Sequence, residues 1–100
     1  MSFYDLNKQE RADLVNRIKE DIFRDLMHSE VQKIIGYCSD EDTYIRKSAY
    51  LSIGRLYSEQ KELQQPIIDC LKQLAEHENF KVRQTVINAA GEIGKQDFET

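Results

Sequence analysis

The chain has 100 residues, 40% apolar and 32% charged, with a formal net charge of −4. That balance excludes a disordered chain, and no run approaches the roughly 20 apolar residues of a membrane span. The net acidity argues against a general nucleic-acid binder, which needs a concentrated basic surface.

Five helices are predicted, in an all-α chain. Asn7 with Glu10 forms a capping box that opens the first at Lys8, and Leu14, Ile18, Ile22 and Leu26 stripe it to about Met27. Ser29 with Gln32 reads as a second capping signature, opening a short helix to about Cys38 with Val31, Ile34, Ile35 and Cys38 inward. Gly36 inside it costs up to about 1 kcal/mol relative to alanine, so packing must hold that helix. The acidic turn Ser39-Asp40-Glu41-Asp42 caps a third helix, Thr43 to Tyr57, with Ile45, Ala49, Ser52, Ile53 and Leu56 on one face. A polar segment leads to the fourth, which carries Pro66 in its first turn and Ile67, Ile68, Leu71, Leu74 and Ala75 inward. The loop Glu76-His77-Glu78-Asn79 precedes the fifth, Phe80 to Gly94, with Val82, Val86, Ala89, Ala90 and Ile93 inward and Ile87 widening the apolar arc.

Chemical machinery is absent from this pattern. No nucleophile–base pair, phosphate loop or metal cluster stands out, so neither an enzyme nor a cofactor is expected. Cys38 and Cys70 lie in apolar helical patterns and form no CxxC, which reads as reduced, buried thiols. The opening Met1-Ser2-Phe3-Tyr4-Asp5 lacks the basic-then-apolar order of a secretion signal, which predicts a cytoplasmic location.

Shifting the sequence by 37 residues superimposes two hairpins. Val31, Ile34, Tyr37 and Cys38 fall on Ile68, Leu71, Leu74 and Ala75. Ile45, Arg46, Ala49, Tyr50, Ile53, Gly54 and Leu56 fall on Val82, Arg83, Val86, Ile87, Ala90, Gly91 and Ile93. Apart from the shared arginine and glycine, apolar character is kept at these paired positions, and the small residues let neighbouring helices approach closely.

The run Asp40-Glu41-Asp42-Thr43-Tyr44-Ile45-Arg46, then Ala49 and Ile53-Gly54-Arg55-Leu56, closely resembles the HEAT repeat signature. The second copy keeps Val82-Arg83 and Ala90-Gly91-Glu92-Ile93 but has His77 where the turn aspartate stands. The resemblance implies an α–α superhelix of the HEAT and armadillo type, a solenoid of about five helices in a single domain. Residues 1–28 would be an N-terminal capping helix, 29–60 the first repeat and 61–98 the second. It also implies inter-repeat contacts for Asp40, Arg46 and Arg83. Two repeats are few for a solenoid, so a piece of a longer solenoid, or pairing with a second copy through the C-terminal repeat, is expected.

The second helix of each HEAT pair usually lines the concave, ligand-binding side. Its outward positions here are Lys47, Leu51, Arg55 and Ser58, then Gln84, Asn88, Glu92 and Lys95. Such a mixed stripe fits a protein or peptide partner better than a phosphate backbone, so a protein-interaction scaffold is expected, with neither nucleic acid nor membrane as partner. Two alternatives stay open: a nucleic-acid-binding solenoid resembling the HEAT-like alkylated-base glycosylases, and a HEAT protein resembling the bilin lyases.

Overall fold

The computed structural model describes residues 2–99, and the side chains of residues 2–95. Five helices follow one another: α1 (Lys8–Met27), α2 (Gln32–Cys38), α3 (Thr43–Glu59), α4 (Gln64–Leu74) and α5 (Phe80–Glu99). Two 3₁₀ turns, Phe3–Asp5 and Lys61–Leu63, precede α1 and α4. No strand occurs among the described residues.

The caps explain where the helices begin. Asn7 Oδ1 accepts the Glu10 amide at 2.8 Å, and Glu10 Oε1 accepts the Asn7 amide at 2.9 Å, the reciprocal pair expected of a capping box. The expected Ser29 cap is not used. Ser29 takes a left-handed backbone, φ 56°, and lies in the turn rather than at the helix start. Asp25, in the last turn of α1 and 4% exposed, caps α2 instead. Its Oδ2 accepts the amides of Lys33 at 2.8 Å and Ile34 at 3.0 Å. Two donors that a short helix would leave open are thus satisfied from the preceding helix.

α3 extends two residues beyond its expected end, to Glu59. α5 runs five past Gly94, since a single helical glycine weakens a helix without ending it. The segment after Gly94 therefore continues α5.

α3 lies between α1 and α5, its two most extensive packing partners. α2 packs on α1 and α3, and α4 on α5 and α3, so α1, α3 and α5 form one layer and α2 with α4 the other. One core joins them: Ile18, Ile22, Ile34, Ile67, Leu74 and Val82 are sealed from solvent together with Ala49 and Ala89. Each large aliphatic contributes about 1.5–3 kcal/mol of transfer free energy. The two alanines contribute little area, and their size is what lets the α3 and α5 backbones come close.

The inward arc of α4 differs from expectation. Leu63, Ile67, Cys70, Leu71 and Leu74 are buried, Ile68 is half-buried and Ala75 is exposed. The spacing Ile67, Cys70, Leu71, Leu74 is the i, i+3, i+4, i+7 face, and Ala75 is the C-cap, already turning to solvent. Ala90 of α5, expected inward, is also exposed. Cys38 and Cys70 are buried free thiols. Burial pushes Cys38 up to about 12 and Cys70 up to about 11, so neither is a nucleophile at neutral pH.

Candidate protein-binding surface

The surface is built on two turns that are copies of one another. In the first, Asp40 Oδ1 accepts the Asp42 amide at 2.8 Å, and Asp42 Oδ1 accepts the Tyr44 amide at 2.9 Å. Thirty-seven residues on, His77 Nδ1 accepts the Asn79 amide at 3.0 Å, and Asn79 Oδ1 accepts the Lys81 amide at 2.8 Å. His77 therefore does the work of the missing aspartate: one unprotonated ring nitrogen replaces one carboxylate oxygen.

The arginines complete each turn. Arg46 donates to the Asp40 carbonyl and, at 3.1 Å, to Thr43 Oγ1. Arg83 donates to the carbonyls of His77 at 2.6 Å and Glu78 at 2.9 Å. These bonds of Asp40, Arg46 and Arg83, the residues expected to make inter-repeat contacts, lie within their own turns. The arginine is the fourth residue of its helix, so its fork reaches back over the first helical turn to the open carbonyls of its own loop. Polar contact between the two hairpins comes from elsewhere. Thr85, 2% exposed, places its hydroxyl 3.2 Å from the Cys38 carbonyl and 2.7 Å from that of Lys81. Lys81 Nζ lies 3.9 Å from the Glu41 carboxylate. Neither residue stands out in the sequence, where Thr85 is simply a polar residue near a helix start.

The matching turns set the outward faces of α3 and α5 in the same register. Lys47, Arg55 and Ser58 are exposed and Leu51 is half-buried; Gln84, Asn88 and Lys95 are exposed and Glu92 is half-buried. Spacings of four, four and three residues keep each set on one face, spanning about 16 Å at 1.5 Å per residue. Core residues hold the opposite side of both helices, so these eight side chains need no partner for folding.

The HEAT repeats family model matches residues 31–98 of the chain. The chain belongs to the HEAT repeat family. Comparison with curated proteins and with solved structures returns no match. The HEAT match takes in α2 to α5 and leaves α1 outside it. Yet α1 opens as the second HEAT helices do: Asn7 to Arg11, Asp42 to Arg46 and Asn79 to Arg83 share one cap-to-arginine spacing. Arg11 departs in its contacts, since its guanidinium lies 5.5 Å over the Tyr4 ring and its Nε is buried without a partner.

Tyr4 belongs to an arm that the sequence reading passed over. The Phe3 amide donates to Asp42 Oδ2 at 2.6 Å, and this bond, followed by that from the Tyr44 amide, holds the Asp42 carboxyl below its ordinary value. Phe3 stacks on Tyr44 at 6.1 Å between centroids, and Tyr4 meets the same ring edge-on at 4.4 Å. Tyr44 lies one turn before Lys47 on the same outward face, so the arm covers the N-terminal end of the first HEAT stripe. Extending that stripe back one turn would have found Tyr44; nothing in the sequence points to Phe3 or Tyr4. At the other end of α3, an open groove of about 530 Å³ runs between α1 and α3, with Phe23 and Leu56 among its lining residues and the Lys19–Glu59 ion pair, 2.7 Å, at its edge.

No helix of the described residues is long and apolar enough to cross a membrane.

Proposed function

We propose that the chain is a non-enzymatic HEAT scaffold that binds a protein or peptide along the outward faces of α3 and α5. The observation that carries this reading is the paired stripe: eight residues in one repeat register, seven polar or charged and the eighth, half-buried Leu51, the apolar anchor. Lys47, Arg55 and Lys95 are offset by Glu92 and by the neutral Gln84 and Asn88. A phosphate backbone would favour a single sign of charge, whereas a peptide uses both signs and an apolar contact. In this proposal residues 29–60 and 61–98 are the two binding repeats, and residues 1–28 close the N-terminal end of the stack. The same reading places the protein in the cytoplasm, where buried free thiols such as Cys38 and Cys70 stay reduced.

The test is capture from native extract by the parent chain and by a Leu51→Asp, Arg55→Glu variant, with nuclease treatment and an absorbance scan of the bound material. A protein retained by the parent and lost by the variant, at unchanged helicity and melting temperature, supports the stripe. Recovery of nucleic acid or pigment in its place, or equal capture by both chains, overturns it.

A further inference from the structure

We propose that the partner of this surface is an extended peptide in the polyproline II conformation, laid across α1, α3 and α5. It carries a basic, an acidic and a basic side chain at every third residue. The proposal rests on the outward stripe of α3 and α5 as the binding surface, and it adds α1 to that surface. Lys8, Thr43 and Phe80 open the three helices, and twelve residues after each stand Glu20, Arg55 and Glu92. α1 thus carries the stripe register, with Asn16, Glu20 and Phe23 matching Leu51, Arg55 and Ser58.

The structure puts these matching positions side by side. The starts of the three helices lie together, where the Phe3 amide reaches Asp42 and Lys81 reaches Glu41. Asn16, Glu20 and Phe23 line the groove of about 530 Å³ between α1 and α3. Its α3 rim is Glu59, one turn on from Arg55, so the α1 face and the α3 stripe border one groove. Of the rows that the register makes across the three helices, Glu20–Arg55–Glu92 alone is charged on every helix; the others hold Lys47 and Lys95 and no further charge. Glu20 and Arg55 are exposed and Glu92 is half-buried. Among the described residues none of the three is in an ion pair, since the pairs formed are Lys19–Glu59 and Lys81–Glu41.

Charge and spacing name the occupant. Packed helices lie about 8–10 Å apart, so the row presents negative, positive and negative charge at that interval. Three residues of polyproline II rise about 9.3 Å and return the side chain to the same face. A β-strand puts residues three apart on opposite faces, and residues two apart are only about 6.6 Å on. The complement of the row is therefore basic, acidic, basic at every third residue. That order reads the same from either end of the peptide.

The test is fluorescence anisotropy with labelled, end-capped peptides, titrated with the chain to about 1 mM. The ordered peptide is Lys-Pro-Gln-Glu-Pro-Gln-Lys, its charge-exchanged form is Glu-Pro-Gln-Lys-Pro-Gln-Glu, and its scramble is Lys-Lys-Pro-Gln-Pro-Gln-Glu. The parent is expected to bind the ordered peptide about 10- to 100-fold more tightly than the charge-exchanged one, from three exposed pairs made in one and reversed in the other. The variant Glu20→Lys, Arg55→Glu, Glu92→Lys should invert that preference at unchanged helicity. Glu20→Lys alone, on α1, should weaken the ordered peptide about fivefold. The proposal is overturned by a parent that binds the ordered peptide and its scramble alike or binds neither, by a triple variant that keeps the parent's preference, or by an unchanged affinity in Glu20→Lys. The stripe fails separately, through equal capture of a native protein by the parent and the Leu51→Asp, Arg55→Glu variant. A stripe that captures its protein while the peptides bind without regard to charge order overturns this proposal alone.

Discussion

The cap that α1 supplies to α2 can be tested by removing it. Asp25→Ala takes away one carboxylate oxygen and with it the acceptor of two amides, at 2.8 and 3.0 Å. The two amides are not equivalent. Ile34 is fully buried, so its N–H loses its partner without gaining water, at about 1–3 kcal/mol; Lys33 is exposed, so its N–H rehydrates and the loss is nearer 1 kcal/mol. No side chain at the helix start replaces the cap, because the N-cap position is Val31. The sum is about 2–4 kcal/mol, a large share of the 5–15 kcal/mol typical of a domain, and about 10–30 °C in melting temperature for a chain of this size. Asp25→Asn keeps an acceptor oxygen and is expected to cost about half as much. Urea unfolding followed by circular dichroism gives both values, and hydrogen exchange at the Ile34 amide should accelerate most. The opposing effect is the desolvation of a buried carboxylate, which alanine relieves. If Asp25→Ala lies within about 0.5 kcal/mol of the parent, or above it, that relief outweighs the two bonds and the cap does not hold α2.

Leu71→Ala, in the core of α4, is expected to cost about 2–5 kcal/mol, whereas Lys47→Ala and Gln84→Ala should stay within about 0.5 kcal/mol in the same unfolding assay. Gly36→Ala should stabilise by about 0.5–1 kcal/mol, since Gly36 is helical and exposed and an added Cβ meets nothing within 4 Å. The Asp42 carboxyl is depressed below 3.8 in the folded chain. Its contribution to holding the arm is therefore present above that value and lost as pH falls through the depressed one; the Phe3 amide should lose its hydrogen-bonded chemical shift there, and Asp42→Asn should abolish that titration. Cys38 and Cys70, pushed to about 12 and about 11, should react with a disulfide reagent at pH 8 only as fast as the chain opens, which a urea-dependent labelling rate would reveal.

What could be read from the sequence was what repeats or stays local. The Asn7–Glu10 box lies within four residues, and the structure forms it as expected. The 37-residue register carries the HEAT identity, and the family match over residues 31–98 agrees with it. Long-range partners escaped. Ser29–Gln32 has the spacing of a cap, but Asp25 outcompetes it from the neighbouring helix, and no local rule ranks a carboxylate eight residues upstream. The edge of the α4 arc is set by packing for a related reason: Cys70 is buried as expected, whereas Ile68 is only half-buried. Its periodicity admits either Ile68 or Cys70 inward, and only the approach of α1, α3 and α5 selects Cys70. Phe3 reaches Asp42 across 39 residues, a distance over which pattern carries no information.

Repeat register also separates departures that keep a contact from those that change it, because equivalent positions can be compared contact by contact. His77 for Asp40 changes the residue but keeps the acceptor, so the turn is conserved as chemistry and the change calls for no ligand. Tyr44 and Lys81 change both residue and contact: the tyrosine carries the arm on an outward face, while the lysine reaches toward Glu41. Gly54 and Gly91 are the reverse case, one residue in two environments, buried in α3 and open in α5.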